Sequence, residues 1–399
     1  MKTATAWSTL DDEEAAITTA YNQLIKRLGG TPSLLLLHGS TTYHWERVLA
    51  YMDKLAPGVP MHGGTSCMGV MTEEGFHSHQ GVGMGLFGII DATGNYGVSA
   101  TSTGADAHAA AAQATRQALE RAGREGEVPA LAWITTFPGH EEYVIKGIES
   151  VLGSSVPITG GSSSDDTVTG ECCQFANGHV YHDAIVVTLM FPSTDIQFAF
   201  HSGYEPTQHK GRVTRAAGRT LYEIDHRPAA IVYNEWIGGT LTDTLESGGN
   251  ILARTNLHPL GRATGNTGGF PHFMLAHPHQ ITTEGALTLF ATIDTGDELT
   301  LMEGSPASLV SRAGRVAIAA LQNGETPSTR TVSGALVIYC AGCMLTVQHR
   351  MEEVISNLRK VLEDAPILGV FTLGEQGCFA ENENRHGNLM ISVLVFYGD

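Results

Sequence analysis

The sequence is short of positive charge, of cysteine and of long apolar runs. Lys and Arg number 23 against 41 Asp and Glu, a formal net charge of -18, and charge-driven binding to nucleic acid or an anionic membrane needs a positive field. Neither partner is expected. Six cysteines in 399 residues are too sparse for a disulfide scaffold, which leaves them as packing residues, ligands or chemistry. No uninterrupted apolar run approaches membrane-spanning length, and the opening MKTATAWSTLDDEEAA has no basic region followed by an apolar stretch. Neither membrane insertion nor a secretory leader is expected, and the expected location is cytoplasmic.

What the chain does have is 42% hydrophobic residues and 47 glycines, enough for a large core joined by tight turns, and length for two domains. One grammar recurs along it: an apolar run, a helix-like segment and a second run closing on small residues. Ser33 to His38, Tyr43 to Leu55 and Val59 to Ser66 make the first unit. Leu131 to Thr136, Glu141 to Leu152 and Val156 to Ser163 make the second. Both closings read V-P-x-x-G-G-[TS]-S, and recurrence of the octet at the same point of the same unit predicts an internal duplication. A third, diverged copy runs from Gly334 through a stripe of Val347, Met351, Val354, Ile355, Leu358, Val361 and Leu362 to the run after Pro366.

A helical crossover of that length makes its flanking strands parallel, so their C-terminal ends share one rim. Ligands of α/β sheets sit at such rims. The third unit delivers Cys340 and Cys343 there from its first strand, and Glu375, Gln376 and Cys378 from its second, with His386 and Asn388 in the loop beyond. This rim is the expected site.

Elsewhere, Val82 to Ile90 and Val98 to Thr103 read as a hairpin beside the parallel units. Asn177-Gly178 is a strong hairpin signal. Pro259 to Ile281, rich in Gly, Pro and His and without a period, reads as a long loop. Leu287 to Ile293 and Glu298 to Met302 read as a hairpin, and a polar linker runs up to Ser333. The expected fold class is α/β, with mixed sheets built from strand-helix-strand units and hairpins, in two related domains, 1–205 and 206–399.

Gly63 to Gly69 and Gly160 to Asp166 resemble the two glycine-serine signatures of the FIST N-terminal domain. Val213 to Ala216, Leu221 to Asp225 and Tyr233 to Gly238 resemble the passage into the FIST C-terminal domain, and Cys340-Ala341-Gly342, Gly374-Glu375 and the His386/Asn388 pair resemble that domain's core motifs. The resemblance covers nearly the whole chain. It departs from the family where many members carry arginine after the C-x-G step and this chain has Cys343. It implies a sensory module that binds a small polar metabolite, such as an amino acid, in a cleft between the halves. The two halves use all the residues given, so a separate signalling protein is the expected recipient. Some members bind haem and report nitric oxide.

An enzyme is the competing expectation. A thiol at a helix N-terminus has its thiolate stabilised by backbone donors, so Cys340 or Cys343 would be nucleophile, with His386 or Glu375 moving the proton and Gln376 and Asn388 holding a carbonyl. The turns Gly64-Thr65-Ser66 and Gly161-Ser162-Ser163 would line the pocket and bind ligand through backbone N–H groups and hydroxyls. No metal is expected, because a Cys340, Cys343, Cys378 and His386 zinc site would have only one C-x-x-C knuckle. No cofactor is expected beyond the haem reading, which spacing alone assigns to none of the 18 histidines.

Overall fold

Three runs of the chain fold to the same plan. The computed structural model describes residues 1–267, 270–322, 331–379 and 383–398; most of the expected polar linker, 323–330, lies outside them. The first run comprises β1 (Lys2–Ser8), α1 (Glu13–Leu28), β2 (Leu34–Gly39), α2 (Trp45–Leu55), β3 (Met61–Thr65), β4 (Val70–Thr72), β5 (Gly75–His77) and β6 (Met84–Ile90). The second comprises β7 (Asn95–Ser102), α3 (Ala107–Ala122), β8 (Leu131–Thr136), α4 (Glu141–Leu152), β9 (Ile158–Ser162), β10 (Gln174–Ala176), β11 (His179–Tyr181) and β12 (Ala184–Phe191). Local chemistry sets the helix ends: Asp12 and Asp106 accept from Ala15 and Ala109 N–H groups, and Gly29 and Gly123 close α1 and α3 at positive φ.

The third run opens with β13 (Ile196–His201) and is then interrupted. The insertion holds β14 (Glu205–Ala217), β15 (Thr220–Ile224), β16 (Arg227–Pro228), α5 (Ala229–Trp236), β17 (Gly249–Asn250), α6 (Leu252–Thr255), β18 (Leu260–Thr267), β19 (Phe270–Ala276), β20 (Pro278–Ile281), β21 (Leu287–Leu289) and β22 (Glu298–Glu303). The plan then resumes with α7 (Pro306–Gln322), β23 (Val332–Cys340), α8 (Ala341–Thr346), α9 (Met351–Leu362), β24 (Ile367–Thr372), β25 (Glu375–Cys378), β26 (Asn384–Gly387) and β27 (Ile391–Tyr397).

Each run supplies four strands of a six-stranded sheet and borrows two. The orders are β1-β6-β2-β3-β10-β11, β7-β12-β8-β9-β25-β26 and β13-β27-β23-β24-β4-β5. The pairs β2/β3, β8/β9 and β23/β24 are parallel, as the crossovers require. The hairpin after each closing strand leaves its own sheet for the next one in a cycle: β4-β5 joins the third, β10-β11 the first and β25-β26 the second.

Period-2 alternation divides the burial. Leu34 and Leu36, Leu131 and Trp133, and Leu336 and Ile338 point into one core shared by the three sheets. Leu35 and Leu37, Ala132 and Ile134, and Ala335 and Val337 point outward onto their own helices. Glycine is needed where the borrowed strand crosses: Gly63 faces Phe175 and Gly369 faces Met71. A β-carbon on Gly63 would collide with the Leu37 carbonyl, and one on Gly160 with that of Ile134.

Three local readings are corrected. The strands Met84–Ile90 and Asn95–Ser102 do not pair with each other, because the chain passes between them from one sheet to the next. Pro259 to Ile281 is not a long loop: β18 and β19 pair, with a register shift between Ala263 and Gly265 that breaks the alternation. The strands β21 and β22 do not pair either; β21 lies between β20 and β15, and β22 between β14 and β18. The insertion forms its own nine-stranded sheet, with a core around Leu221, Tyr233 and Ile281.

Candidate functional site

The strand β23 ends at Cys340, which caps the short helix α8. One turn on, Cys343 is fully buried against the Tyr204 hydroxyl, 3.5 Å from its Sγ. The buried Arg312 lies beside them, its Nη1 donating to the carbonyls of Ser202 and Leu389 at 2.7 Å each and its guanidinium over the Tyr339 ring. Burial pushes the Cys343 thiol up, but the Cys340 thiol donating to it, the Arg312 cation and the Tyr204 hydroxyl outweigh that and bring it below its ordinary value. The Cys340 thiol, by that same hydrogen bond and by burial, is held well above it. Glu375, also buried, accepts from Thr372 Oγ1 at 2.8 Å and from the Met390 N–H at 2.9 Å. Burial raises its carboxyl well above the carboxylate range despite those donors. The two thiols are therefore pushed in opposite directions, Cys343 towards losing its proton and Cys340 towards keeping it, beside a carboxyl that burial disposes to stay protonated.

A cavity of ≈ 480 Å³ opens at this rim. The third run contributes Cys340, Gly342, Leu345, Thr372 and Asn388; the insertion contributes Asn256, His277 and Phe290; loops after β3 and β9 contribute Cys67 and Asp165. It lies between residues of the 1–205 and 206–399 segments. His277 is buried and neutral, burial and the neighbouring His279 pushing it down to about 3, with its Nε2 2.9 Å from Thr255 Oγ1. The Asp165 carboxylate accepts from the N–H groups of Thr167, Thr169, Gly170 and Glu171. Of the lining residues' amides, Asn388 Nδ2 and Asn256 Oδ1 are buried and have no partner among the described residues. Burying such a group unpaired costs about 1–3 kcal/mol.

His386 does not join this cavity. Its Nδ1 is 3.2 Å from Gln376 Nε2 and its Nε2 is 3.1 Å from the Phe290 carbonyl, in a second cluster with Glu141, Ser162 and Arg219. Ser162 Oγ donates to Glu141 at 2.7 Å, and Arg219 Nη2 reaches Glu141 and Glu142 at 2.6 and 2.7 Å. Burial alone would raise these carboxyls, but His386 and Arg219 hold both below the usual range, Glu142 at about 2. Of the sequence-expected set, the structure brings together Cys340, Cys343, Glu375 and Asn388. It places Gln376 and His386 in the second cluster.

The glycine-serine turns are tied to one another. The Ser66 N–H donates to the Gly39 carbonyl, Ser163 N–H to Thr136, Ser164 N–H to Thr65 and Ser162 N–H to Gly374. Ser66 Oγ receives the Phe371 N–H at 2.9 Å, and Ser164 Oγ donates to the Phe371 carbonyl. A β-carbon on Gly64 would sit 2.7 Å from Ser163 Oγ, and one on Gly161 would meet Thr372. Thr65, Ser66, Ser162 and Ser163 are all buried. These turns knit the ends of the three closing strands together, and the backbone donors expected to hold a ligand are already used.

Tyr204, Asn256 and Arg312 escaped the sequence reading. Arg312 had a signal: it stands on the buried stripe of α7 with Leu309, Ala313 and Val316, a lone cation where the period calls for an apolar residue. The residues fit a haem poorly, because the one histidine that lines the cavity among the described residues has its Nε2 engaged by Thr255. Among the described residues no group of three or more His, Cys, Asp and Glu is placed to hold a metal ion, and no helix is long and apolar enough to cross a membrane.

Among solved structures, a cyanuric acid hydrolase from A. caulinodans aligns with a TM-score of 0.34 at 9% identity, covering 98% of each chain. A second cyanuric acid hydrolase structure aligns with a TM-score of 0.33 at 10% identity, covering 99% of each. An uncharacterized protein of Methanocaldococcus jannaschii is 35% identical over 92 residues, 23% of this chain and 18% of that protein. The chain thus spans under a fifth of that curated relative's length. The FIST N domain model matches residues 33–227 and the FIST C domain model residues 229–378. Two models meeting end to end over most of the chain, in the order in which its motifs run, settle the family: this protein belongs to the FIST proteins.

Proposed function

We propose that the protein is a cytoplasmic sensor that takes a small polar metabolite into the Cys340 cavity, between its two halves, and passes occupancy to a separate signalling protein. FIST domains are generally sensory domains that bind small ligands in signal transduction. The observation that carries the reading is the cavity itself: ≈ 480 Å³ falls within the roughly 300–1,000 Å³ of small-molecule sites. Segments far apart in sequence supply that wall, so a ligand there bridges β23, the insertion and the loops after β3 and β9.

The enzymatic reading is weaker on the same geometry. A cysteine nucleophile acts as its thiolate, and the thiol disposed to ionise is Cys343, which does not line the cavity, while Cys340, which does, is pushed the other way. His386, the expected proton carrier, faces the other cluster. A thermal-shift screen of the full chain tests the sensor reading, because a ligand that binds only the folded form raises Tm. A hit should lose its effect in Leu345→Trp, which fills the cavity from a partly exposed position. An undiminished shift in that variant would place the ligand elsewhere and sink the reading.

A further inference from the structure

We propose that Cys340 is an oxidation site: hydrogen peroxide entering the cavity oxidises its sulfur, and Cys343 behind it closes a Cys340–Cys343 disulfide. This does not depend on a metabolite binding there. It requires that the cavity opening reach the Cys340 sulfur.

All six cysteines are free thiols, and all are buried. Of the six, Cys67 and Cys340 line this cavity. Cys67 is fully buried, whereas Cys340 keeps 6% exposure. Gly342 lines the same wall, and a β-carbon built on it would sit 3.8 Å from Cys340 Sγ. The missing side chain leaves an approach to that sulfur, and hydrogen peroxide, little larger than water, fits so narrow a path. Cys343 lies three residues on, does not line the cavity and is fully buried, yet it receives the Cys340 thiol in a hydrogen bond. An oxidant arriving through the cavity therefore meets one sulfur of the pair, with the second in reach behind it.

The reaction balances with peroxide as the oxidant. The Cys340 thiol passes its proton to the Cys343 sulfur it already bonds, and its own sulfur attacks one peroxide oxygen. An S–O bond forms as the O–O bond breaks, leaving Cys340 as a sulfenic acid. The departing hydroxide takes the proton from Cys343 and leaves as water. The Cys343 thiolate then attacks the Cys340 sulfur, the S–S bond forming as the S–O bond breaks, and the second hydroxide takes a proton from solvent. Two electrons leave the thiol pair and two waters form.

Arg312 gives the event a consequence. It is fully buried, spends Nη1 on the Ser202 and Leu389 carbonyls, and its Nε and Nη2 have no partner among the described residues. Glu375, which also feels this cation, is disposed by burial to stay protonated. The thiolate towards which Cys343 is pushed is then the counter-charge. Disulfide formation removes it and strands a buried cation on α7. A thiol pair whose reduced form is stabilised in this way makes an oxidising, readily reduced disulfide, so the oxidation is reversible.

The test exposes the reduced full chain to hydrogen peroxide, blocks remaining thiols with N-ethylmaleimide in denaturant and maps the products by peptide mass. A linked Cys340–Cys343 peptide should form at least tenfold faster than any product at Cys172, Cys173 or Cys378. Without its resolving partner, Cys343→Ser should accumulate sulfinic acid at Cys340, while Cys340→Ser should leave Cys343 reduced. Leu345→Trp, which fills the cavity, should slow the reaction at least tenfold. Oxidation of Cys343 in Cys340→Ser, a linkage to Cys67, a rate unchanged in Leu345→Trp, or oxidation no faster than at the remaining thiols would each overturn the proposal. Millimolar reduced glutathione should reopen the bond within minutes; a bond that resists it, as structural disulfides do, would overturn the part given to Arg312.

Discussion

Glu375 and Gln376 are consecutive on β25 and serve different clusters: the carboxyl of the first receives Thr372 and Met390, and the amide of the second meets His386. Strand alternation compels this, because neighbouring side chains leave opposite faces. The rim that looked like one site is therefore two, back to back, with Phe290 lining the first and its carbonyl bonded to His386 in the second.

The thiol pair should contain a single thiolate. Absorbance near 240 nm at pH 8 is expected to show one ionised cysteine in the native protein, lost in Cys343→Ser and in Arg312→Lys but retained in Cys340→Ser, whose hydroxyl still donates. Loss of the signal in Cys340→Ser together with its survival in Cys343→Ser would reverse the assignment.

Acid should destabilise the protein before any carboxylate titrates. His38, His62, His77 and His277 are all buried, with burial pushing each below its ordinary value. Below pH 6.5 the unfolded chain gains protons that the folded chain refuses, so stability falls as pH falls, by about 1.4 kcal/mol per pH unit for each histidine. Glu375 acts in the opposite sense, since its raised carboxyl binds a proton on folding. The net loss between pH 6 and pH 5 is about 3 kcal/mol, readable as a drop in the urea midpoint. A midpoint that is flat or rises over that interval would contradict the neutral histidines.

Removing Arg219 should strand two acids. Glu141 is 3% exposed at its side chain and shares that cation with Glu142, so Arg219→Ala is expected to cost about 3 kcal/mol at pH 7. The two carboxyls owe their low values partly to Arg219. The stability they lend is present above the ordinary carboxylate range and is lost as pH falls through their folded values, so the penalty should shrink in acid. Equal penalties at pH 7 and pH 3.5 would argue that the ion pair is incidental.

Gly63 should tolerate nothing larger. A β-carbon there has no room beside the Leu37 carbonyl, whereas Gly58 has open space and a φ of 74°. Gly63→Ala is expected to abolish folding or cost more than about 4 kcal/mol, and Gly58→Ala only about 1 kcal/mol. Comparable denaturation midpoints for the two variants would refute the close-crossing argument.

Much of the architecture was written locally. Parallel strands buried on both faces read as continuous apolar runs, which is why Leu34 to Leu37 and Leu336 to Tyr339 stood out and the third copy was legible despite its lost glycine-serine turn. The exchange of hairpins was not. Val70–Thr72 spans three residues and pairs with Leu368–Val370, nearly 300 positions away, and nothing within so short a segment names its partner. The strand after Pro259 was hidden by a register shift, and Arg312 by the habit of reading a stripe for what repeats in it. The Cys340 rim was legible because β23 and β24 end on it, and Asn388 with it; Asn256 was not, because it comes from the insertion, whose packing against the rim no local pattern announces.

The cyclic exchange of hairpins has a consequence for how the protein is made. The edge of β9 is closed only by β25, which leaves the ribosome more than 200 residues later. Until then the nascent second sheet carries an open rung, and so does the hairpin β4-β5, which waits for β24. Maturation must therefore finish as a late closure, and a message cut short before Glu375 would yield a chain whose second sheet lacks β25 and β26 and whose third lacks β27, with edges ready to pair with a neighbour.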